Sequence, residues 1–186
     1  MTVSDPAGVA PCTDRSLRSV VLQDWAANRG STKSQVVMAA FRLAHHWDQG
    51  DSRVPGPVRK LGVLGYKVLT TWVLGVEIPP ETSIGPGLVL KHPQAIVVNG
   101  QSRIGARCML RACTTLGNLV ERDGAETASP VLGDDVELGV GVIVIGPIHV
   151  GDRARIGAGA VVITDVPAGA VAVGNPARVL PAADAT

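Results

Sequence analysis

Aromatic side chains are scarce in this 186-residue sequence, where Phe, Trp and Tyr together make up only 3% of the residues. Hydrophobic residues nevertheless account for 46%, and glycine occurs 22 times. That much apolar material is enough to fill one sizeable core. Because large rings are nearly absent, we expect this core to be narrow and lined by small aliphatic side chains.

The sequence also lacks an excess of charge and a regular cysteine pattern. It has 17 basic and 16 acidic residues, so no strong field would attract nucleic acid, and we predict no nucleic-acid partner. Cys12, Cys108 and Cys113 are an odd number without CxxC spacing. This pattern indicates neither a disulfide framework nor a zinc site. We therefore predict a protein without a metal, in a reducing cytoplasm.

No apolar run is long enough to suggest a membrane-spanning helix. The most apolar segment, Leu61 to Val76, contains Lys67 and several glycines, and it is shorter than the roughly 20 residues that a spanning helix needs. The N-terminus does not resemble a secretion signal. We expect a cytoplasmic protein, with peripheral membrane contact as the alternative.

What the sequence does contain is a repeat of six residues. In its second half an aliphatic residue leads every hexad, and the fifth place of each hexad is also small or aliphatic. The leaders are Leu132, Leu138, Val144, Val150, Ile156 and Val162. An earlier array runs Ile78, Ile84, Leu90, Ile96, shifts by two residues near Val97–Asn99, and resumes at Val98, Ile104, Leu110 and Leu116.

A period of six predicts a mainly β fold, a parallel β-helix with three short faces per coil. Every leader would point into the lumen, where only small aliphatic side chains fit. Cys108 stands at a fifth place, so we interpret it as a core residue and not as a nucleophile. We assign the β-helix domain to residues 77–186.

Two segments lie outside the repeat. Residues 1–76 are predicted to be an N-terminal helical region, with helices over 16–27, 33–49 and 58–76. His45 and His46 on the second helix are interpreted as packing or exposed residues. The polar segment 118–131 interrupts the hexads and is predicted to leave the β-helix as an exposed loop.

The hexads, and an ending VPAGAVAVGNPARVL that resembles a C-terminal cap, are similar to the hexapeptide-repeat acyltransferases. This resemblance implies a left-handed parallel β-helix and a homotrimer with active sites between subunits. The run VEIPPETSIGPGLVLKHPQAIVV (residues 76–98) resembles the serine acetyltransferase branch. The resemblance implies that His92 is the general base, paired with the carboxylate of Glu77, and that acetyl-CoA is the acetyl donor.

The same resemblance implies a binding site for the coenzyme along the helix axis, at turns of small residues. The implied positions are Gly117, Asn118, Val140, Gly141, Ala158 and Gly159, with Arg178 as a candidate for the nucleotide phosphates. Turn geometry alone is the alternative explanation for the glycines.

The sequence departs from classical serine acetyltransferases where the acceptor would bind. Lys91 stands before the histidine where those enzymes have Asp, and Ala128-Ser129-Pro130 replaces an Arg-His-Pro element. The hexad register places Arg111 one coil after Lys91, about 5 Å away. We therefore predict Lys91, Arg111 and Ser129 as acceptor-binding residues, with an anionic acceptor. A DWAAN element (24–28) and the basic residue before His92 resemble acetyltransferases of colanic-acid and capsular polysaccharide assembly.

Three functions follow from these residues. The first is an acetyl-CoA-dependent O-acetyltransferase that acts on a hydroxyl of a saccharide or another small molecule. The second is serine O-acetylation with a rebuilt acceptor pocket, and the third is a non-catalytic β-helix scaffold. Because the long C-terminal tail of serine acetyltransferases is missing, no complex with the sulfhydrylase is expected.

Overall fold

The computed structural model describes residues 16–50, 54–122 and 124–180. The predictions for Cys12 and for both chain ends lie outside these ranges. A small helical region precedes a left-handed parallel β-helix, as predicted. The division into a helical region 1–76 and a β-helix domain 77–186 stays a prediction.

Three sheets form the walls of the β-helix, and their strands are parallel except for the last strand, which is antiparallel to its neighbour. Each of the first four coils contributes one short strand to each sheet, and the fifth contributes to two of them. The strands are β1 Val76–Glu77, β2 Ser83–Ile84, β3 Val89–Lys91, β4 Ile96–Val98, β5 Arg103–Ile104, β6 Met109–Arg111, β7 Thr115–Gly117, β8 Val131–Leu132, β9 Glu137–Leu138, β10 Ile143–Ile145, β11 His149–Val150, β12 Arg155–Ile156, β13 Val161–Val162, β14 Val171–Val173 and β15 Arg178–Val179. Sheet A has the order β1-β4-β7-β10-β13, sheet B β2-β5-β8-β11, and sheet C β3-β6-β9-β12-β14-β15.

The lumen is filled by the residues that the hexad pattern selects. Every predicted leader from Ile78 to Val162 is buried, and so are the fifth-place residues from Cys108 to Val166. Because stacked strands lie about 4.8 Å apart, each coil must place side chains of similar size above those of the next coil. This requirement explains the near absence of aromatic residues.

The two-residue shift lies one corner earlier than predicted. Lys91 pairs with Arg111, 20 positions later, but Val97 pairs with Thr115, 18 positions later. The extra pair of residues therefore lies between Lys91 and Val97, and not at Val97–Asn99. Ile96 and Val98 both point into the lumen. The apolar pattern alone therefore fits a shift before Ile96 as well as a shift between Ile96 and Val98.

Repeated hydrogen bonds at this corner identify the inserted residues. The N–H of Cys113 donates to the carbonyl of Gln94 (2.9 Å), and the N–H of Gly141 donates to that of Ala112 (2.9 Å). Gln94 thus occupies the place that Ala112 has one coil later. Since Ala112 follows Arg111 directly, the two residues between Lys91 and Gln94, His92-Pro93, are the insertion.

The helical region contains three α-helices, α1 Leu17–Val21, α2 Thr32–Asp48 and α3 Gly56–Lys67, and a π-helical turn Val68–Val73 that continues α3. The first helix is much shorter than predicted, because residues 22–30 form turns. Ser31 caps α2 by accepting from the N–H of Ser34 at 3.3 Å. Gly62 lets α3 approach α2 closely, since a Cβ there would collide with the ring of Trp47.

Polar side chains of the helical region cover the open edge of the first coil. Arg42 donates to the carbonyls of Ile84 (2.7 Å) and Gly85 (2.6 Å), and the hydroxyl of Tyr66 donates to that of Ile78 (2.6 Å). Without such partners, an edge strand would present unpaired backbone groups. The helical region therefore serves as the N-terminal cap of the β-helix.

Candidate active site

The strand that leads to His92 is held on both sides. On one side β3 pairs with β6 of sheet C, and on the other side it is bonded to side chains of the helical region. Asn28 Nδ2 donates to the carbonyl of Leu88 (2.8 Å) and Asn28 Oδ1 accepts from the N–H of Leu90 (2.9 Å). Ser34 Oγ donates to the carbonyl of Leu90 at 2.8 Å. These bonds fix the backbone two residues before His92.

His92 stands on the two-residue insertion, at the corner between sheets C and A. Its φ is 53°, in the left-handed region that β-branched residues avoid, and its side chain is exposed. The ring makes no hydrogen bond or ion pair with any other described residue. The insertion therefore projects an unengaged imidazole out of an otherwise regular wall.

Glu77 lies on the adjoining face, on β1 of sheet A. It pairs with Val97, which follows His92 by five positions, so Glu77 lies on the preceding coil. Glu77, Lys67, Tyr66 and Glu81 are among the residues that line a small cavity of about 130 Å³. No hydrogen bond joins Glu77 to His92 in the described chain, so the predicted pair stays a prediction.

Two cations stack beside this corner. Lys91 and Arg111 are direct partners in the parallel pairing of β3 and β6, which places their backbones about 4.8 Å apart. Neither forms an ion pair with a carboxylate of the described residues. Like charges at this spacing repel unless an anion lies between them, so the pair is suited to binding one.

The predicted coenzyme positions fall into two groups that flank sheet A. The bond from Gly159 N–H to the carbonyl of Val140 (2.8 Å) continues the corner stack, so Val140, Gly141, Ala158 and Gly159 lie at the corner of His92. Gly117 is the last residue of β7, and Asn118 follows it at the corner between sheets A and B. Arg178 lies on β15, at the far end of sheet C from Lys91.

Part of the segment 118–131, predicted as an exposed loop, forms a short hairpin, whereas its last residue, Val131, already belongs to β8. Val120 and Glu126 make an antiparallel bridge, and Asn118 donates to Glu126 at 2.9 Å. Ser129, predicted to bind the acceptor, is only 6% exposed, and its hydroxyl bonds to Asn99 Oδ1 at 3.0 Å. Within one chain Ser129 lies at the corner between sheets A and B, apart from Lys91 and Arg111.

Cys108 and His45 have packing roles in the structure. Among the described residues, no three His, Cys, Asp or Glu side chains are grouped so that they could hold a metal ion. Burial raises the pKa of the Cys108 thiol to about 11, which suits the predicted core role. His45 bonds to the carbonyl of Pro80 at 2.6 Å and stacks on Phe41, so it packs, as predicted.

Sequence reasoning missed the residues that fix β3. Asp24 and Asn28 belong to the DWAAN element, which we noted only as a resemblance. Their spacing of four residues could have indicated a role in holding the backbone, because buried Asp and Asn in a short turn usually bond to backbone groups.

Comparison with known proteins agrees with this architecture. Residues 129–164 match the family model described as bacterial transferase hexapeptide (six repeats). The chain is 34% identical over 162 residues to the putative colanic acid biosynthesis acetyltransferase WcaB of Escherichia coli, covering 86% of this chain and 98% of that protein. It is 34% identical to serine acetyltransferase 4 of Arabidopsis thaliana, covering 80% of this chain but only 39% of that protein.

Two solved structures share the fold. Soybean serine acetyltransferase superposes with a TM-score of 0.75 at 31% identity, over 90% of this chain and 70% of that one. A serine acetyltransferase in complex with CoA superposes with a TM-score of 0.72 at 27% identity, over 88% and 69% of the two chains.

Proposed function

We propose that this chain transfers acetyl from acetyl-CoA to a hydroxyl of a saccharide or similar small molecule. The chain belongs to the hexapeptide-repeat acyltransferases, in the branch that includes serine acetyltransferases and WcaB. The observation that carries the proposal is the exposed imidazole of His92, held on an insertion next to two stacked cations. A scaffold would need neither feature.

In the proposed reaction His92 acts as general base. The imidazole takes the proton of the acceptor hydroxyl while the oxygen attacks the thioester carbonyl. The tetrahedral intermediate then collapses, the C–S bond breaks, and the proton passes to the leaving CoA thiolate. A positioned general base typically contributes about 10² to 10⁴-fold. Glu77 would hold the second ring nitrogen and thereby fix the tautomer.

The arrangement of small residues supports a coenzyme site along the β-helix axis. Val140, Gly141, Ala158 and Gly159 continue the corner of His92 through two further coils. Arg178 lies five strands beyond β3 in sheet C, about 24 Å at the usual strand spacing. Such a row would suit an extended ligand with its reactive end at His92, and one related structure contains CoA.

A homotrimer would bring the two groups of predicted residues together. In one chain, Gly117, Asn118 and Ser129 lie at one corner, and His92 with Lys91 lies at another. In a threefold assembly of triangular coils, one corner of each subunit can face the other corner of its neighbour. We therefore propose that each active site lies between two subunits.

The acceptor proposal rests on charge. Lys91 and Arg111 present two cations beside His92 that form no ion pair with a carboxylate of the described residues. This arrangement favours an anionic saccharide over an uncharged one. The name of the relative WcaB, a colanic acid biosynthesis acetyltransferase, fits a saccharide acceptor. Serine O-acetylation is the second candidate, favoured by the similarity to the soybean enzyme.

Steady-state kinetics with L-serine and a panel of neutral and acidic sugars would test this assignment. We expect an acidic sugar to be the best acceptor, and Arg111→Ala to raise its KM about tenfold with little change for acetyl-CoA. A cation contributes electrostatic binding only to a substrate of opposite charge, and salt should weaken the same contribution. Arg103→Ala, which removes an exposed cation on sheet B, is the matched control.

Two outcomes would contradict the acceptor proposal. If L-serine is the best substrate, the chain is a serine acetyltransferase with an altered pocket. If Arg111→Ala affects only the KM for acetyl-CoA, the two cations bind the phosphates of the coenzyme instead.

A further inference from the structure

The helix α3 and its π-helical continuation present an apolar face that nothing in the described chain covers. Leu61, Leu64, Val68 and Trp72 recur at helical spacing, so they lie on one side of the segment. Their exposed fractions include 70% for Leu61, 57% for Leu64 and 85% for Trp72. The opposite side packs inward through Tyr66 and Thr70, which are buried. The exposure is therefore a property of one face.

Cations border this apolar face. Lys60 and Lys67 are seven positions apart, so they lie on the same flank of α3, and both are exposed. Neither makes an ion pair or hydrogen bond with another described residue. A groove of about 350 Å³ between α2 and α3 is lined by both lysines together with Trp47, Asp48 and Leu64.

Charge is distributed unevenly along the chain. Residues 16–76 contain eight basic and three acidic residues, a net charge of +5, whereas residues 77–180 contain eight basic and ten acidic residues, a net charge of −2. The segment 56–73 itself has three cations and no acid. The positive charge is therefore concentrated in the same region as the exposed apolar residues.

We propose that the face formed by Leu61, Leu64, Val68 and Trp72, together with Lys60 and Lys67, docks on a bilayer surface that contains anionic lipid. A helix with an apolar face, flanking lysines and a tryptophan is suited to lie in the plane of such an interface. The lysines would contact lipid phosphates while the apolar residues enter the acyl boundary. No helix within the described ranges is long and apolar enough to cross the membrane.

Charge also argues against the same face pairing with itself. A twofold contact between two copies would bring Lys60 and Lys67 of both subunits together. Arg59, Lys60 and Lys67 line the groove beside the face together with one carboxylate, Asp48, so such a contact would need further neutralisation of its positive charge. An anionic lipid surface supplies that neutralisation at every cation.

Flotation of the full chain with lipid vesicles tests the proposal. We expect binding to vesicles of phosphatidylcholine mixed with phosphatidylglycerol, weak binding to phosphatidylcholine alone, and loss of binding at high salt. Lys60→Gln with Lys67→Gln should lower the affinity for anionic vesicles about thirtyfold. Leu61→Ser with Trp72→Ser should lower it more than about tenfold. Arg103→Gln with Arg153→Gln, two exposed β-helix cations, is the charge-matched control.

Trp72 provides a direct reporter of the contact. Its fluorescence emission should shift to shorter wavelength when anionic vesicles are added. Trp72→Phe should remove most of the shift while keeping the binding, since Trp25 and Trp47 remain in the protein. All substituted side chains are exposed, so circular dichroism should show unchanged folding.

Three results would overturn the proposal: no binding of the parent protein to anionic vesicles, equal binding to neutral ones, or the same loss in the charge-matched control. If the Leu61→Ser and Trp72→Ser substitutions instead change the sedimentation coefficient, the face is a contact between copies. The assay needs neither acetyl-CoA nor acceptor, so its failure would leave the proposed transferase activity standing.

Discussion

The buried ion pair between Arg42 and Asp24 is predicted to be essential for stability. The side chains are only 3% and 1% exposed, and Arg42 Nε lies 2.7 Å from Asp24 Oδ2. Arg42 also donates to the carbonyls of Ile84 and Gly85, and Asp24 Oδ1 accepts from the N–H of Gly87 at 2.6 Å. The pair therefore joins the helical region to the first coil.

Replacing Arg42 with Met keeps much of the apolar stem but removes every donor. Asp24 would then be a buried carboxylate without a counter-charge, and two edge carbonyls would lose their partners. Removing one member of a buried ion pair costs about 3–5 kcal/mol, so we expect a loss of about 4 kcal/mol in the free energy of unfolding.

Urea unfolding followed by circular dichroism at fixed protein concentration measures this loss. Asp24→Asn in the Arg42→Met background should recover part of it, because the amide carries no charge to leave unpaired. Arg107→Met is the control, since Arg107 pairs with Asp135 at 2.7 Å on the exposed surface, where ion pairs contribute little. A loss below about 1 kcal/mol for Arg42→Met would refute the reasoning.

Two further predictions concern the β-helix. Glu77→Gln should lower kcat less than His92→Ala does, because it weakens the orientation of the base without removing it; activity equal to that of the parent would mean that the pair is not formed. Of the described cysteines, exposed Cys113 should react with a thiol reagent in the native protein, whereas Cys108 should react only after unfolding, since burial raises its pKa to about 11. Mass spectrometry of labelled peptides checks this, and early labelling of Cys108 would show that the lumen is open.

Much of the β-helix could be predicted because the lumen imposes one requirement on every coil. Each leader from Leu132 to Val162 is buried in the lumen and has to be aliphatic. The sequence therefore shows an aliphatic residue at every sixth position. The break in the hexads after Gly117 was equally visible, since the polar residues that form the hairpin bridged by Val120 and Glu126 cannot occupy lumen positions. Both features depend on side-chain size and polarity, which a sequence shows.

The insertion and the cap could not be located by that reasoning. Ile96 and Val98 are both aliphatic and both buried, so periodicity does not say which of them is the leader. The corner hydrogen bonds decide it, and they depend on backbone geometry. The cap depends on Asn28, Ser34 and Arg42 meeting backbone groups that lie 42–62 positions away in the chain, a distance that no local pattern spans.

The central claim, that His92 is the general base, is tested most directly by the acetyl-transfer rate of His92→Ala. Because the imidazole is exposed and makes no bond with the rest of the described chain, the variant should keep the folded state and the oligomeric mass of the parent. We expect kcat with the best acceptor to fall about 10²-fold or more. A folded His92→Ala protein that keeps most of the parent's activity would contradict the account.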